Sequence, residues 1–166
     1  MPPAARPNVP ADFEAFFRAN YRALSRSLQP ASEWAAESVQ AAFAEALEKW
    51  DAVRATDSPS AWLRRTAISD LRARYRSGGE NRRPAPPSSP TRPDGSPTIR
   101  ILPELEAALA PLPVRQRLAM SLFYVSDLSV NEVADAMGIS RRAVRAALRS
   151  GRQSVRHLVR TPRATH

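Results

Sequence analysis

The chain has 166 residues, a formal net charge of +9 and no cysteine. This length allows one compact domain or two small ones. Without cysteine there is no disulfide framework, thiol nucleophile or thiolate metal site, and the excess of positive charge favours a polyanionic partner. Every basic residue except Lys49 is arginine, whose forked guanidinium suits phosphates and guanine edges.

Most of the net positive charge lies at the C-terminal end of the sequence. Residues 139–166 contain eight arginines and no acid. Such a segment is typical of a solvated surface or of a nucleic-acid-binding element, and only a docking motif distinguishes the two. The stretch "MPPAARPNVP" lacks the apolar region of a signal peptide, and no apolar run reaches the length of a membrane span. We therefore expect a cytoplasmic protein without direct membrane insertion.

Two amphipathic helices are predicted at the N-terminal end. In the first, apolar residues recur at spacings of three and four from Phe13 to Leu28, Asp12 is placed to cap the helix, and Pro30 closes it. The second runs from about residue 32 to residue 50 and carries several glutamates on its outer side. Its inward residues are expected to be Val39, Phe43, Ala46, Leu47 and Trp50.

An arginine-rich helix is predicted after the short loop "DAVRATD". Ser58 followed by Pro59 is typical of a helix start, because the serine caps and proline is preset for the first turn. Five arginines between positions 64 and 76 surround a narrow apolar stripe of Leu63, Ala67, Leu71 and Tyr75.

Residues 77–100 differ completely in composition, with six prolines, three glycines and no large apolar residue before Ile99. This composition is typical of a flexible linker, which spans at most roughly 80 Å when fully extended. No alternating strand pattern occurs anywhere. The sequence therefore predicts an all-α protein of two small helical domains, at 12–76 and 101–160, joined by the linker 77–100, with disordered ends at 1–11 and 161–166.

The segment "SVNEVADAMGISRRAVRAALRSGR", residues 129–152, has the pattern of a helix-turn-helix. Gly138 is placed at the turn, where positive φ is required, and Ser140 is placed to cap the second helix. A helical hairpin with a basic surface is the alternative. The apolar residues expected to fix the two helices are Val133, Ala134, Met137, Ile139, Val144 and Leu148.

With this motif placed, the chain resembles a known family. The stretch "LPVRQRLAMSLFYVSDLSVNEVADAMGISRRAV" is similar to domain 4 of bacterial sigma factors. The stretch "AAESVQAAFAEALEKWDAVRATDSPSAWLRRTAISDLRARYR" is similar to their domain 2. Because only a Pro-rich segment separates the two, the chain resembles the extracytoplasmic-function (ECF) group of the sigma-70 family.

This resemblance implies a role for each charged segment. Sigma factors are not enzymes, and they bind core RNA polymerase, direct it to a promoter and help to open the duplex. The second helix is then expected to face the polymerase through Glu37, Gln40 and Phe43, and the loop 51–60 to hold a flipped base of the minus-10 element. The residues expected to bind and melt the minus-10 element are Arg54, Asp57, Ser58, Trp62, Arg64, Arg65, Arg72 and Arg76. Those expected to read the minus-35 element are Ser140, Arg141, Arg142, Arg145, Arg149 and Arg152.

The resemblance also implies partners, and some positions differ from the pattern usual in the family. Core RNA polymerase, promoter DNA and an anti-sigma factor are the expected partners, with no cofactor, metal or small-molecule substrate. Ala36, Glu37 and Ser38 stand where an acidic pair followed by leucine is common. In the recognition helix the residues that depart from the usual pattern are Ala146, Ala147, Ser150 and Gly151.

A stand-alone helix-turn-helix regulator is the second hypothesis, since it explains the final helices equally well. It leaves unexplained why an acidic helix and a basic, Trp-containing helix precede the linker. Trp50 and Trp62 are expected to be mainly core residues, although Trp62 beside Arg64 and Arg65 is also placed to stack on a base. An enzyme is poorly supported, because His157 and His166 are distant from any acid and no phosphate-binding loop occurs.

Overall fold

A computed structural model describes residues 9–78 and 107–160, in which helices joined by short connections form the whole structure and no strand occurs. The all-α fold predicted from the sequence is confirmed. The predicted linker 77–100 lies outside the described residues apart from its first two, which end a helix. The predicted disordered tail 161–166 and residues 1–8 also lie outside them. Within the described ranges, no helix is both long and apolar enough to cross a bilayer.

The N-terminal unit contains four α-helices and one 3₁₀ turn. The helices are α1 (Ala11–Leu28), α2 (Ala35–Glu48), α3 (Trp50–Arg54) and α4 (Pro59–Gly78), and the 3₁₀ turn is Gln29–Ala31. Ser58 caps α4 as predicted, because its Oγ accepts the N–H of Ala61 at 3.2 Å. Pro30 stands within the 3₁₀ turn that follows α1.

Two helix boundaries differ from those expected. Helix α1 begins one residue before Asp12, with Pro10 at the cap, and Asp12 accepts hydrogen bonds from the N–H of Phe13 and from Arg54. The second predicted helix ends at Glu48, and α3 occupies the first half of the expected loop 51–60. The connection that remains exposed is therefore residues 55–58.

Aromatic packing joins α1 to α2 and α3. The ring of Phe13 meets Trp50 edge-on at 5.2 Å, and Phe17 lies 4.6 Å from Phe43. Such ring pairs add stabilisation beyond the area that they bury. Phe43 and Trp50 are therefore core residues. The stripe on α4 is buried as predicted at Leu63, Ala67 and Leu71, with Ile68 added to it, and it packs on α2.

The C-terminal unit contains α5 (Val114–Tyr124), α6 (Val130–Met137) and α7 (Arg141–Arg160). Leu118 and Leu122 of α5 are buried, and Phe123 is half-buried. Helix α7 packs across α5 at Gly151. A Cβ built on Gly151 would lie 2.8 Å from Cγ of Met120, so a side chain at this position would require the Met120 side chain to move.

The two units pack against each other and share one apolar core. Helix α4 packs on α6, and α1 with its 3₁₀ turn packs on α5. Polar contacts also cross this interface between the two units, which we call the seam. Ser121 Oγ donates to the Ser27 carbonyl at 2.5 Å, Arg72 Nη1 donates to the Met137 carbonyl at 2.6 Å, and the hydroxyls of Ser27 and Ser126 are hydrogen-bonded.

We expect Gly151→Val to lower the free energy of unfolding by about 1–3 kcal/mol, because valine must displace Met120 from a packed contact. Chemical denaturation monitored by circular dichroism measures this change. Ser150→Val, at the exposed neighbouring position, is the control and should change stability little. Adding Met120→Ala to Gly151→Val should recover part of the loss, and equal losses in the single and double variants would contradict the close contact.

Candidate nucleic-acid interface

Helices α6 and α7 form the helix-turn-helix that the sequence predicts. Gly138 has φ 62° and ψ 37°, the left-handed conformation required at the turn. Its N–H donates to the Asp135 carbonyl at 3.4 Å, and the N–H of Ile139 donates to the Ala134 carbonyl at 3.1 Å. These two bonds are those of a Schellman motif, which ends a helix sharply.

Capping hydrogen bonds fix the start of each helix. At α6, Glu132 N–H donates to Ser129 Oγ at 3.3 Å, and Ser129 N–H donates to the Glu132 carboxylate at 2.8 Å. This reciprocal pair is a capping box. At α7, Ala143 N–H donates to Ser140 Oγ at 3.1 Å, as predicted from the sequence.

The arginines of α7 share one exposed side of the helix. At 3.6 residues per turn, the arginines from Arg141 to Arg152 fall within an arc of about 100°. Arg142, Arg145 and Arg149 form no hydrogen bond or ion pair with the described residues and are exposed. The adjacent side of α7 is buried through Val144, Ala147, Leu148 and Gly151.

Two arginines of this set already have partners. Arg141 donates to the Asn131 side chain at 3.5 Å, and Arg152 donates to Tyr124 Oη at 3.3 Å. The burial of Ala147 and Gly151 gives a packing reason for two of the departures from the family pattern. At Ala147 a long basic side chain would have to leave the core, and at Gly151 any side chain would meet Met120.

A second candidate surface lies on α4. Trp62, Arg65 and Ser69 line an open groove of ≈ 540 Å³ between α2 and α4, whose rim also includes Glu45 and Asp70. Trp62 is half-buried, so it is partly a core residue and partly a wall of this groove. Arg65 and Arg76 are exposed on the same side of the helix, which makes the groove partly basic.

The side chains of Arg64 and Arg72 lie close to the C-terminal unit. Arg72 donates to the last carbonyl of α6, and Arg64 is half-buried. Burial lowers the pKa of Arg64, and the nearby Glu132 carboxylate partly offsets this effect. The predicted minus-10 set is therefore divided between the groove and the seam.

The remaining predicted residues occupy three settings. Arg54 forms ion pairs with Asp12 at 3.2 Å and with Asp51 at 2.7 Å. Asp57 is exposed before α4. Glu37 and Gln40 are exposed on α2, but Phe43 is buried in the aromatic cluster. The structure thus differs from the expected polymerase contact at Phe43, because its ring has no surface to offer.

Several residues that the seam depends on escaped sequence reasoning. Ser27, Ser121 and Ser126 are small polar residues with no periodic signal. Asp127, between α5 and α6, has a φ of 54°, a conformation that aspartate tolerates better than most residues. No local pattern in the sequence marks this position. Met120 and Gly151 carry no pairing signal either, since they are distant in sequence.

An exposed arginine side on the second helix of a helix-turn-helix is typical of DNA-binding proteins. Residues 102–155 match the family described as sigma-70, region 4. In fold, the chain is similar to the sigma factor RpoE from Bartonella quintana, solved in complex with the anti-sigma factor NepR. The TM-score is 0.67 at 22% identity, over 92% of this chain and 99% of that one. No curated protein matches the sequence. The family match covers the C-terminal unit, and the likeness in fold extends over both units.

We expect the capping box of α6 to make stability depend on pH. Hydrogen bonds from the N–H and hydroxyl of Ser129 lower the pKa of Glu132, with a smaller contribution from Arg64. A carboxyl whose pKa is lowered on folding stabilises the protein above its unfolded pKa, and this contribution is lost as the pH falls through the folded pKa. Glu132→Gln keeps an acceptor for Ser129 but cannot titrate, so it should lose less stability between about pH 5 and about pH 3.

Melting temperatures measured across this range test the expectation. Asp135→Asn, an exposed acid on the same helix, is the control and should follow the pH dependence of the unaltered protein. A Glu132→Gln curve parallel to that of the unaltered protein would show that the capping box does not titrate with the fold.

Proposed function

We propose that this protein is a sigma factor of the ECF group, which binds core RNA polymerase, directs it to promoters with two separated elements and helps to open the duplex. The observation that carries the proposal is the exposed arginine side of α7, presented by a helix-turn-helix whose residues match sigma-70 region 4. In this proposal Arg142, Arg145 and Arg149 reach the major groove of the minus-35 element. The protein acts in the cytoplasm and without catalytic chemistry of its own.

The groove between α2 and α4 is proposed to receive the minus-10 element. Trp62 offers a ring for stacking and Arg65 a positive charge for the backbone, the two features that a site for separated strand needs. The exposed connection 55–58, which includes Asp57 and the capping residue Ser58, borders the start of α4 and is proposed to hold an extruded base. Glu37 and Gln40 are proposed to face the polymerase.

Promoter binding requires the two units to separate. A packed body of about 120 residues has a radius of gyration of about 14 Å, whereas promoter elements two helical turns apart lie about 70 Å from each other. In the packed form, α4 packs on α6, and Arg72 is hydrogen-bonded to the last carbonyl of α6. We propose that the polymerase binds the separated form, and that an anti-sigma factor binds the packed form. The likeness to a sigma factor solved with its anti-sigma factor supports this second partner.

Run-off transcription from a library of upstream fragments of the source genome, with core polymerase, tests the proposed function. Specific starts should appear only when the protein is added, each preceded by two short elements at a fixed spacing. Selective binding to double-stranded DNA without any dependent start would instead favour a stand-alone regulator.

A pair of variants should separate the two proposed surfaces. Arg145→Ala removes a base or phosphate contact and should weaken minus-35 binding by about tenfold while binding to core polymerase is kept. Glu37→Arg should weaken polymerase binding and leave minus-35 binding unchanged. Fluorescence anisotropy with labelled duplex and with core polymerase measures both affinities.

Two further variants are the controls for this pair. Arg152→Ala removes the same charge from α7, but its guanidinium is held at Tyr124, so it should weaken DNA binding less than Arg145→Ala. Glu14→Arg repeats the charge reversal at an exposed acid of α1. Equal effects of Arg145→Ala on both affinities would indicate an unfolded domain instead of a lost contact.

A further inference from the structure

A cavity of ≈ 220 Å³ lies in the seam between the two units, apart from the groove on α4. Its walls come from the second half of α1, the first turns of α4 and the connection between α5 and α6. The polar residues that line it are Asn20, Arg26, Ser27, Ser60, Arg64 and Ser126. The apolar part of the wall includes Leu24, Leu63 and Val125.

The cavity carries positive charge without a matching acid. Two arginines line it, and no Asp or Glu is among the described residues that form its wall. Arg64 forms no hydrogen bond within the described ranges, and burial lowers its pKa. The nearest influence of opposite sign is Glu132, outside the lining, whose carboxylate already accepts from the Ser129 N–H and hydroxyl.

Some of the polar side chains in the cavity wall already donate to other groups, and the rest are free to donate to a ligand. Asn20 Nδ2 donates to the Phe16 carbonyl, and Ser27 Oγ donates to the Ala23 carbonyl, so Ser27 accepts from Ser126. The groups left to donate are the guanidinium of the exposed Arg26, that of the half-buried Arg64, the hydroxyl of Ser60 and the second amide hydrogen of Asn20. Ser60 also lies in the first turn of the 20-residue helix α4, whose N-terminal end adds positive potential.

We propose that this cavity binds the phosphoryl group of a small phosphorylated molecule. Two guanidiniums and a hydroxyl match the several acceptor oxygens of a phosphoryl group, which arginine binds through paired N–H donors. The apolar wall receives a small organic body attached to the phosphoryl group. Because Val125 and Ser126 belong to the C-terminal unit and Arg26 and Arg64 to the N-terminal unit, the ligand stabilises the packed form.

The same chemistry has a second source, the phosphodiester backbone of DNA. A backbone phosphate at Arg64 would need only the N-terminal unit, whereas the cavity needs the wall that the α5–α6 connection supplies. An effect of the ligand on transcription rests on the proposed function, but its binding and its preference for the packed form do not. A ligand in the cavity should therefore change the surroundings of Ser126, whereas a DNA phosphate bound at Arg64 should leave them unchanged.

The test titrates the full chain with inorganic phosphate and with phenyl phosphate, at ionic strength held constant with sodium chloride. Isothermal titration calorimetry should show saturable binding of one equivalent, tighter for phenyl phosphate, and the melting temperature should rise with ligand. Arg64→Gln and Arg26→Gln should each weaken binding by about tenfold, the loss of a charged hydrogen bond. Arg22→Gln is the matched control, one turn earlier on α1, exposed and outside the cavity.

A measurement on the unaltered protein removes any dependence on how the variants fold. In ¹⁵N-resolved NMR spectra, phenyl phosphate should shift the amide signals of Arg26, Arg64 and Ser126 together. A short single-stranded oligodeoxynucleotide provides the comparison arm for the DNA source. Absence of saturable binding by both small phosphates overturns the proposal, as does an equal loss in Arg22→Gln or shifts that omit Ser126. If the oligonucleotide binds in a manner that depends on Arg64 and phenyl phosphate does not bind, the proposal is overturned and Arg64 is a contact for the DNA backbone.

Discussion

Packing on two sides of α4 is the constraint on which the rest of the structure depends. One side buries Leu63, Ala67, Ile68 and Leu71 and packs on α2. Full burial of a leucine or isoleucine side chain contributes about 1.5–3 kcal/mol, so this stripe accounts for much of the stability of the N-terminal unit. Another side meets α6, where Arg72 binds the carbonyl that ends the first helix of the helix-turn-helix. Helix α4 therefore belongs to both units.

This arrangement divides the arginines of α4 by what their side chains contact. Arg65 lines the groove beside Trp62, whereas Arg72 donates to the other unit and Arg64 lies half-buried beside it. An arginine at the seam loses hydration, which a partner must replace. For Arg72 the partner is a carbonyl at a helix C-terminus, where the helix dipole favours positive charge. Among the described residues, Arg64 has no hydrogen-bond acceptor and only the carboxylate of Glu132 nearby. The missing acceptor distinguishes the cavity from the rest of the seam.

The seam combines an apolar core with polar bridges that water can replace. Serine hydroxyls and the guanidinium of Arg72 supply its hydrogen bonds, and each such bond has a net worth of about 1 kcal/mol, or somewhat more when a charge takes part. Interfaces within one chain that contain such contacts separate at a lower cost than a continuous core. The packed form and a separated form bound to polymerase are thus compatible with the same sequence.

Local patterns in the sequence determined the helical class, the capping serines, the turn at Gly138 and the exposed arginine side of α7. Each of these depends on residues a few positions apart, where spacing alone defines the face of a helix and the conformation of a turn. Sequence reasoning placed Phe43 both in the core and at the polymerase surface, and only the packing of α1 on α2 decided for the core. Tertiary structure alone also decided that Arg64 and Arg72 lie at the seam, and that Gly151 meets Met120. Periodicity reports which side of a helix is apolar, but the partner that covers that side depends on contacts between residues distant in sequence.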